Sequence, residues 1–267
     1  MALFYLILVA LVQGITEFLP ISSSGHLILL PYLTGMQDQG QIIDVAVHVG
    51  SLFAVILYFW TDVKLVASGA LEVIQGKFAT QGAHLALCLG LATIPVAIAG
   101  LVIKLAGWED NLRSIALIGW TMLIFGVVLF WADRTGQNTR KSLEWTWKDA
   151  TVMGLWQVLA LLPGTSRSGI TITGALKLGY RRQDAARLSM LMSIPTIIAS
   201  GVLVGGEVLA TTDAQAARAG AIAAVFSFGA ALLALSLMMR LLRSVSFTPY
   251  VIYRIILGTA LLVIAYT

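Results

Sequence analysis

Charged residues are scarce in this chain of 267 residues: Asp, Glu, Lys and Arg together make up 11% of it, and 58% of the residues are hydrophobic. Soluble globular domains usually contain about 25% charged residues. The deficit excludes an ordinary water-soluble enzyme, and the high hydrophobicity excludes a disordered chain. With a mean hydropathy of +0.90, the sequence is that of a protein whose solvent is the lipid bilayer.

Cysteine is almost absent as well. Cys88 is the single cysteine and lies in an apolar run, which excludes a disulfide framework and a thiolate metal site. No Lys or Arg precedes the apolar residues 1–12 and no small-residue cleavage site follows, so we interpret them as mature structure rather than a signal peptide. The net charge of +4 indicates basic cytoplasmic loops and no nucleic-acid partner.

Six apolar stretches come close to the roughly 20 residues that a membrane-spanning helix needs. They are 45–60, 85–103, 114–131, 188–204, 221–239 and 249–266. Two further apolar stretches, 2–34 and 151–176, are interrupted by Pro, Ser and Gly, and each half is too short to span. We therefore predict an all-α polytopic membrane protein with six transmembrane helices plus two re-entrant helical hairpins, whose breaks line a cavity.

The two interrupted stretches resemble each other when the sequence is displaced by 144 positions. The matches at the turn are Ser22 with Ser166, Ser24 with Ser168, and Gly25 with Gly169. Three predicted spans follow each turn, and an odd number of spans inserts the second half upside down. The sequence thus predicts one integrated membrane domain made of an inverted-topology repeat, 1–131 and 145–267, with a site between the halves.

The distribution of Lys and Arg predicts the orientation of the chain. Loops on the side that holds both termini carry three basic residues: Lys104, Arg113 and Arg218. Loops on the opposite side carry twelve: Lys64, Lys77, Arg134, Arg140, Lys141, Lys148, Lys177, Arg181, Arg182, Arg187, Arg240 and Arg243. Cytoplasmic loops hold the excess of Lys and Arg, so both termini are predicted to face outward.

Glu17 is the most informative single residue, because an ionised carboxylate in an apolar segment is costly unless it is paired or contacts water or metal. Gln13 lies four residues earlier and so shares a helical face with Glu17. Two oxygen ligands at this spacing suit one hard divalent cation. A protonated, purely structural Glu17 is the alternative.

A cluster of hydroxyl residues, Ser22, Ser23 and Ser24, precedes Gly25 and His26 at the first break. Ser and Gly at a helix start expose backbone N–H groups that bind anions, although a plain N-cap would use the same residues. His26 adds the side chain best suited to proton transfer near neutral pH.

Arg167 lies in the second break, between Ser166 and Ser168. An arginine within the bilayer needs an anionic partner, and its planar fork matches phosphate oxygens. An internal ion pair with Glu17 is the alternative. Repeat symmetry would bring the two turns together, and Glu17, His26, Arg167 and a cation then predict a site for a charged phosphate group.

Two other polar residues are weaker candidates. His48 begins a span after Asp44 and would line the cavity or, more simply, make a structural polar contact. Arg254 begins the last span on the predicted cytoplasmic side, where we expect its side chain to reach the lipid headgroups.

Two motifs carry a family resemblance: QGITEFLPISSSGH (13–26) and LLPGTSRSG (161–169) closely resemble the signature regions of undecaprenyl-pyrophosphate phosphatases, the bacterial bacitracin-resistance family. The ending SFTPYVIYR (246–254) is similar to that family's C-terminal region, and the similarity covers almost the whole chain. The resemblance implies hydrolysis of undecaprenyl diphosphate to the monophosphate, which recycles the lipid carrier for peptidoglycan synthesis at the bacterial plasma membrane and confers bacitracin resistance. It also implies the fold predicted above and a divalent cation, Mg²⁺ or Ca²⁺.

Carried over to this sequence, the resemblance assigns the metal and acid–base positions to Gln13 and Glu17; many members have Glu at the place of Gln13. Ser23 would be the nucleophile, with His26 or Glu17 as its base, while a phosphohistidine at His26 or a metal-bound water stays open. The diphosphate-binding residues would be Ser22, Ser24 and Gly25 in the first motif and Ser166, Arg167, Ser168 and Gly169 in the second.

A transporter or flippase of polyprenyl phosphate is the competing interpretation, because inverted repeats with broken helices are typical of transporters. A transporter needs a phosphate clamp but no nucleophile or acid–base pair, so Glu17, His26 and the hydroxyl groups favour hydrolysis. The expected partners are the polyprenyl diphosphate substrate and membrane lipid, and the sequence leaves a homodimer open.

Overall fold

The computed structural model describes residues 3–36, 39–108, 112, 114–211 and 214–267, with the backbone alone at residues 32 and 203–211. These residues form eleven α-helices and no β-strand. In chain order the helices are α1 Leu3–Phe18, α2 Ser23–Thr34, α3 Gln41–Tyr58, α4 Trp60–Ile74, α5 Gln81–Leu105, α6 Ile115–Thr135, α7 Trp147–Val158, α8 Arg167–Lys177, α9 Arg182–Thr211, α10 Ala214–Leu241 and α11 Thr248–Tyr266.

Six of the described helices are long and apolar enough to cross a membrane, namely α3, α5, α6, α9, α10 and α11. They coincide with the six predicted stretches, so the prediction of six spanning helices is confirmed. Large apolar side chains such as Phe53, Ile98, Val225 and Ile256 are exposed on their outer faces, as expected where lipid is the solvent. Arg113, which contributes to the predicted orientation, lies outside the described residues.

Both predicted interruptions separate two short helices. The first break lies between α1 and α2, and the second lies between α7, extended by the 3-10 turn Leu159–Leu161, and α8. These four helices have 16, 12, 12 and 11 residues, which is too short to cross a bilayer. Pro20 and Pro163 lie in the breaks, where the absence of a backbone N–H donor is tolerated.

Helix α4 is absent from the sequence prediction, which places Lys64 in a loop; that placement is wrong. The helix follows α3 directly through Phe59 and packs on α5, where a side chain at Gly69 would overlap the backbone of Gly82. Its Asp62 is buried and forms an ion pair with Arg187 of α9. The sequence does not indicate this helix, because Asp62 and Lys64 in its first two turns interrupt the apolar pattern. The helix packs along the bundle and is not a fully apolar span.

The expectation that Arg254 reaches the lipid headgroups is also wrong. Its side chain is fully buried in α11 and donates only to backbone carbonyl groups of other segments. Helix α11 packs along α6, where Gly126 leaves room for the stem of Arg254. The side chain of Arg254 therefore points into the protein and reaches both breaks.

Basic residues at the predicted cytoplasmic end pair with acidic residues of other segments. The ion pair Arg182–Asp133 joins α9 to α6 with 2.6 Å between Nε and Oδ1. Arg140 contacts Asp149 at the start of α7, also at 2.6 Å. Burial would raise the pKa of the Asp149 carboxyl, but hydrogen bonds from Arg140, Thr146 and other donors outweigh it and hold that pKa at about 2.

Candidate active site

The two breaks adopt the same local conformation. Ser22 and Ser166 are the N-caps of α2 and α8, and their φ angles are 72° and 69°. Each capping hydroxyl accepts a hydrogen bond from the glycine three residues later, Gly25 at 3.4 Å and Gly169 at 3.2 Å. A positive φ at a residue other than glycine costs on the order of 1–3 kcal/mol and is concentrated at functional sites.

The remaining hydroxyl groups of the turns have different surroundings. Ser24 is exposed, and its Oγ lies 3.1 Å from that of Ser22. Ser168 is buried, lies equally close to Ser166, and donates to the carbonyl oxygen of Leu19 at 2.9 Å. Ser168 thus joins the second turn to the first rather than facing the cavity described below.

Glu17 is the centre of the site. Its Oε2 accepts hydrogen bonds from Ser23 Oγ at 2.7 Å and from Gln13 Nε2 at 2.9 Å. Its Oε1 accepts from Arg167 Nη2 at 2.6 Å, and His48 Nε2 lies 3.8 Å from Oε2. A hydroxyl, an amide, a guanidinium and an imidazole therefore converge on one buried carboxylate.

The ion pair between Glu17 and Arg167 is one of the two roles that the sequence leaves open for this arginine. The guanidinium compensates a carboxylate whose burial would otherwise be costly. Arg167 also lines the cavity beside Ser166, so the pairing does not remove it from a ligand's reach. The same arginine is therefore placed to contact both the carboxylate and an anion in the cavity.

A cavity of about 960 Å³ begins at these groups. Its polar end is lined by Glu17, Ser22, Ser23, Ser24, His48, Ser166 and Arg167. Its walls come from α3, α5 and α9 and are mostly apolar, including Val45, Val49, Leu52, Val96, Ala97, Ile103 and Ile197. The cavity extends to Gln41 and Lys104, where α3 begins and α5 ends. Ligand sites commonly combine apolar walls with a few convergent polar groups.

His26 is a predicted site residue, but its side chain does not line the cavity. Its Nδ1 lies 2.7 Å from the carbonyl oxygen of Ser22, and its Nε2 lies 2.6 Å from the hydroxyl of Tyr253. A carbonyl can only accept, so neutral His26 carries its hydrogen on Nδ1 and accepts from Tyr253. The imidazole supports the first turn, and no hydrogen bond joins it to Ser23.

The sequence of this chain matches a known family over almost its whole length. A family model described as "Bacitracin resistance protein BacA" matches residues 6–260, which include both turns and Arg254. The chain belongs to this family. It is 67% identical over 267 residues to a protein of Roseobacter denitrificans and 66% identical to one of Ruegeria pomeroyi, with both chains covered completely. It is 46% identical to a protein of Maricaulis maris over 98% of this chain and 99% of the relative. All three relatives are named undecaprenyl-diphosphatase.

His48 has a more direct position in this BacA-family site than the sequence alone indicates. Its Nδ1 lies 2.7 Å from the carbonyl oxygen of Asp44, one turn earlier in α3. With the Nδ1 hydrogen donated there, Nε2 faces Glu17 and the cavity. The available signal was a histidine within an apolar helix, and its distance from Glu17 required the fold.

Few side chains of the site could act as ligands of a cation. Among the residues that the structure describes, no three His, Cys, Asp or Glu side chains form a metal-binding group. Gln13 is fully buried, donates Nε2 to Glu17, and has no partner for its Oε1. Turning the amide would exchange its nitrogen for this oxygen beside the carboxylate. In that orientation Gln13 and Glu17 would offer two oxygen ligands to a hard cation, although of the two only Glu17 lines the cavity.

Proposed function

We propose that this chain hydrolyses undecaprenyl diphosphate to undecaprenyl monophosphate and inorganic phosphate, which recycles the lipid carrier of cell-wall synthesis and confers bacitracin resistance. The observation that carries the proposal is the hydrogen bond from Ser23 to Glu17, a carboxylate that Arg167 also contacts, at the polar end of an apolar cavity. The polar end suits a diphosphate, and the apolar walls suit the isoprenoid chain. The names of the relatives support the same substrate.

Ser23 is the nucleophile that the geometry favours. Its Oγ attacks the terminal phosphorus while its hydrogen passes to Glu17 Oε2, with which it shares a 2.7 Å hydrogen bond. The bond from that phosphorus to the bridging oxygen breaks, and the oxygen leaves with undecaprenyl monophosphate. Water then attacks the phosphoserine, the bond from phosphorus to Oγ breaks, Ser23 regains its hydrogen, and phosphate and one proton are released.

Two helix starts and one arginine stabilise the negative charge. Helices α2 and α8 begin at the polar end of the cavity, and the partial positive charge of a helix N-terminus favours phosphate. Because the two turns have matching conformations, we propose that each binds one phosphate of the diphosphate. Arg167 adds a planar donor group for the charge that develops on the transferred phosphate.

A divalent cation, Mg²⁺ or Ca²⁺, is the proposed cofactor, held by Glu17 and Gln13. When bound, such an ion supplies Lewis-acid neutralisation of the phosphate oxygens. The position of the Gln13 amide, with Nε2 2.9 Å from Glu17 Oε2 on the same face of α1, supports this assignment.

The orientation is part of the proposal. We propose that the pairs α1–α2 and α7–α8 are re-entrant hairpins of an inverted repeat, 1–131 and 145–267, because the four helices are short and the two turns match. The excess of Lys and Arg at the opposite end supports a location of the termini, and of the cavity end at Gln41 and Lys104, on the outer side of the plasma membrane.

The test is phosphate release from undecaprenyl diphosphate by the purified chain in detergent, with and without a chelator, beside Ser23→Ala. We expect release by the native chain, inhibition by the chelator, and strong loss in Ser23→Ala. Lipid binding without phosphate release would reject hydrolysis in favour of transport. Release that the chelator leaves unchanged would remove the cation from the proposal and leave the hydrolysis in place.

A further inference from the structure

Arg254 contacts both turns at equivalent positions. Its Nη1 donates to the carbonyl oxygen of Pro20 at 3.4 Å, and its Nη2 donates to that of Gly164 at 3.1 Å. Pro20 and Gly164 each lie two residues before the serine with positive φ, Ser22 or Ser166. The acceptors are therefore displaced by the same 144 positions as the serines.

The other donors of the guanidinium fix it to α6. Its Nε donates to the carbonyl oxygen of Met122 at 3.2 Å, and Nη2 also donates to that of Thr121 at 3.4 Å. Thr121 Oγ1 in turn donates to the carbonyl oxygen of Pro163 at 2.5 Å. One planar group thus connects α11, α6 and both turns.

Burying a guanidinium at membrane depth without a carboxylate partner has an unfavourable free energy, and ionisable residues at that depth usually serve a function. In the described residues every hydrogen-bond acceptor of Arg254 is a backbone carbonyl. The residue is not among those lining the cavity. Its position accounts instead for how two turns with unfavourable φ angles persist beside each other, since such strain survives only where surrounding contacts hold it.

We propose that Arg254 is a positioning residue that fixes the relative placement of the two turns, so that both engage one diphosphate. This inference rests on the proposed binding of one phosphate by each turn. A ligand with a single phosphate needs one turn only, whereas a diphosphate needs both at the correct separation. Loss of the bridge therefore weakens diphosphate binding more than phosphate binding.

The experiment compares inhibition of phosphate release by inorganic phosphate and by methylenediphosphonate, at a fixed free concentration of the divalent cation. The native chain is expected to bind the diphosphonate more tightly. Arg254→Lys keeps the charge but loses the planar fork that reaches both carbonyls. We expect this variant to lose about tenfold or more of that preference, the loss expected for one hydrogen bond from a charged group.

Arg182→Lys is the matched control, because it alters an ion pair between α9 and α6 away from both turns. It should change thermal stability and leave the inhibitor preference at the native value. An unchanged preference in Arg254→Lys overturns the inference. A native chain without preference overturns the shared-diphosphate binding on which the inference rests, whereas its phosphate release would still support hydrolysis.

If Arg254→Lys does not fold, a second variant tests the positioning role of Arg254. Gly126 faces the stem of Arg254, and a Cβ added there would lie 3.4 Å from Arg254 Cβ and 3.6 Å from Nε. A Cβ is in ordinary contact at these distances, and we expect the two further γ-methyl groups of Gly126→Val to keep the arginine but displace it from the turns. The same loss of preference is expected, and a native preference in this variant contradicts the positioning role.

Discussion

Glu17 and Arg167 form an ion pair of 2.6 Å across 150 positions of the sequence. Glu17 is the penultimate residue of α1, before one turn, and Arg167 begins α8, after the other turn. The pair therefore forms only when the two turns meet, and it places Arg167 beside the carboxylate that Ser23 also contacts.

Arg167→Lys tests whether this arginine acts on the phosphate or only pairs with Glu17. Lysine keeps the positive charge and the ion pair but lacks the planar fork that binds phosphate oxygens in a bidentate manner. We expect the turnover number for undecaprenyl diphosphate to fall by about 10²–10³, the typical loss for one charge-stabilising donor. Near-native turnover would make Arg167 a structural cation. Arg182→Lys, away from the cavity, is the control and should turn over at the native rate.

The covalent intermediate should be a phosphoserine. Ser23 is hydrogen-bonded to Glu17, whereas both ring nitrogens of His26 are engaged by Ser22 and Tyr253. Rapid quenching with substrate labelled in the terminal phosphate should trap label that is stable to acid and labile to alkali. Ser23→Ala should trap none, and Ser24→Ala should still trap label. Label that is labile to acid would identify a phosphohistidine and reject this assignment.

The sequence predicts the spans and both breaks because these depend on local properties. Runs of apolar residues of sufficient length, and Pro, Ser and Gly within them, are visible without the fold. Glu17 and Arg167 are predicted site residues for the same reason, because an ionisable residue within an apolar run is visible in the sequence. The sequence leaves their ion pair as one of two alternatives for Arg167, and the structure shows that the pair forms.

Contacts that the sequence does not predict join residues far apart in the chain. Arg254 lies near the end of a span, where basic residues commonly reach the headgroups, and its acceptor at Pro20 is 234 positions away. His26 and Tyr253 are separated by 227 positions. No periodic pattern or local motif encodes which carbonyl or hydroxyl faces these side chains, so tertiary packing decided both roles.

Topology provides an independent prediction. The excess of basic residues at one end of the bundle predicts that Thr267 lies outside the cytoplasm. A phosphatase reporter that is active only outside the cytoplasm should be active when fused after Thr267. A reporter that requires the cytoplasm should be inactive at the same position. The reverse pattern would place the cavity end at Gln41 and Lys104 on the cytoplasmic side.

Gly100 should determine how well the long isoprenoid chain is accommodated. It lines the cavity on α5, and a Cβ added there would lie 3.7 Å from Leu161. Gly100→Leu therefore places an extra side chain against the lipid, and overpacking typically costs about 1–3 kcal/mol. We expect kcat/KM to fall about 5- to 160-fold for undecaprenyl diphosphate and to stay near native for isopentenyl diphosphate.

The matched control for this variant is Gly90→Leu. Gly90 lies on the same helix, is exposed, and has no atom within 4 Å of an added Cβ. Its variant should hydrolyse both substrates at the native rate. An equal loss for the two substrates in Gly100→Leu would show that Gly100 affects the phosphate end rather than the chain.

The roles of Glu17 and Gln13 separate in a titration with the divalent cation. If Glu17 is a ligand, Glu17→Gln should raise the cation concentration that gives half-maximal phosphate release, in addition to lowering the rate. Gln13→Glu adds a carboxylate on the same helical face and should lower that concentration, because a hard cation prefers the charged oxygen. If Glu17 serves only as a base, the second carboxylate should be neutral or harmful through repulsion.

Gln157→Glu is the matched control, since Gln157 is equally buried, also has an unpartnered Oε1, and bonds to Thr196 instead of a carboxylate. This control should lower stability without changing the cation requirement. An unchanged requirement in both Glu17→Gln and Gln13→Glu would remove the two residues from the cation site, and Ser23 and Glu17 could still perform the hydrolysis.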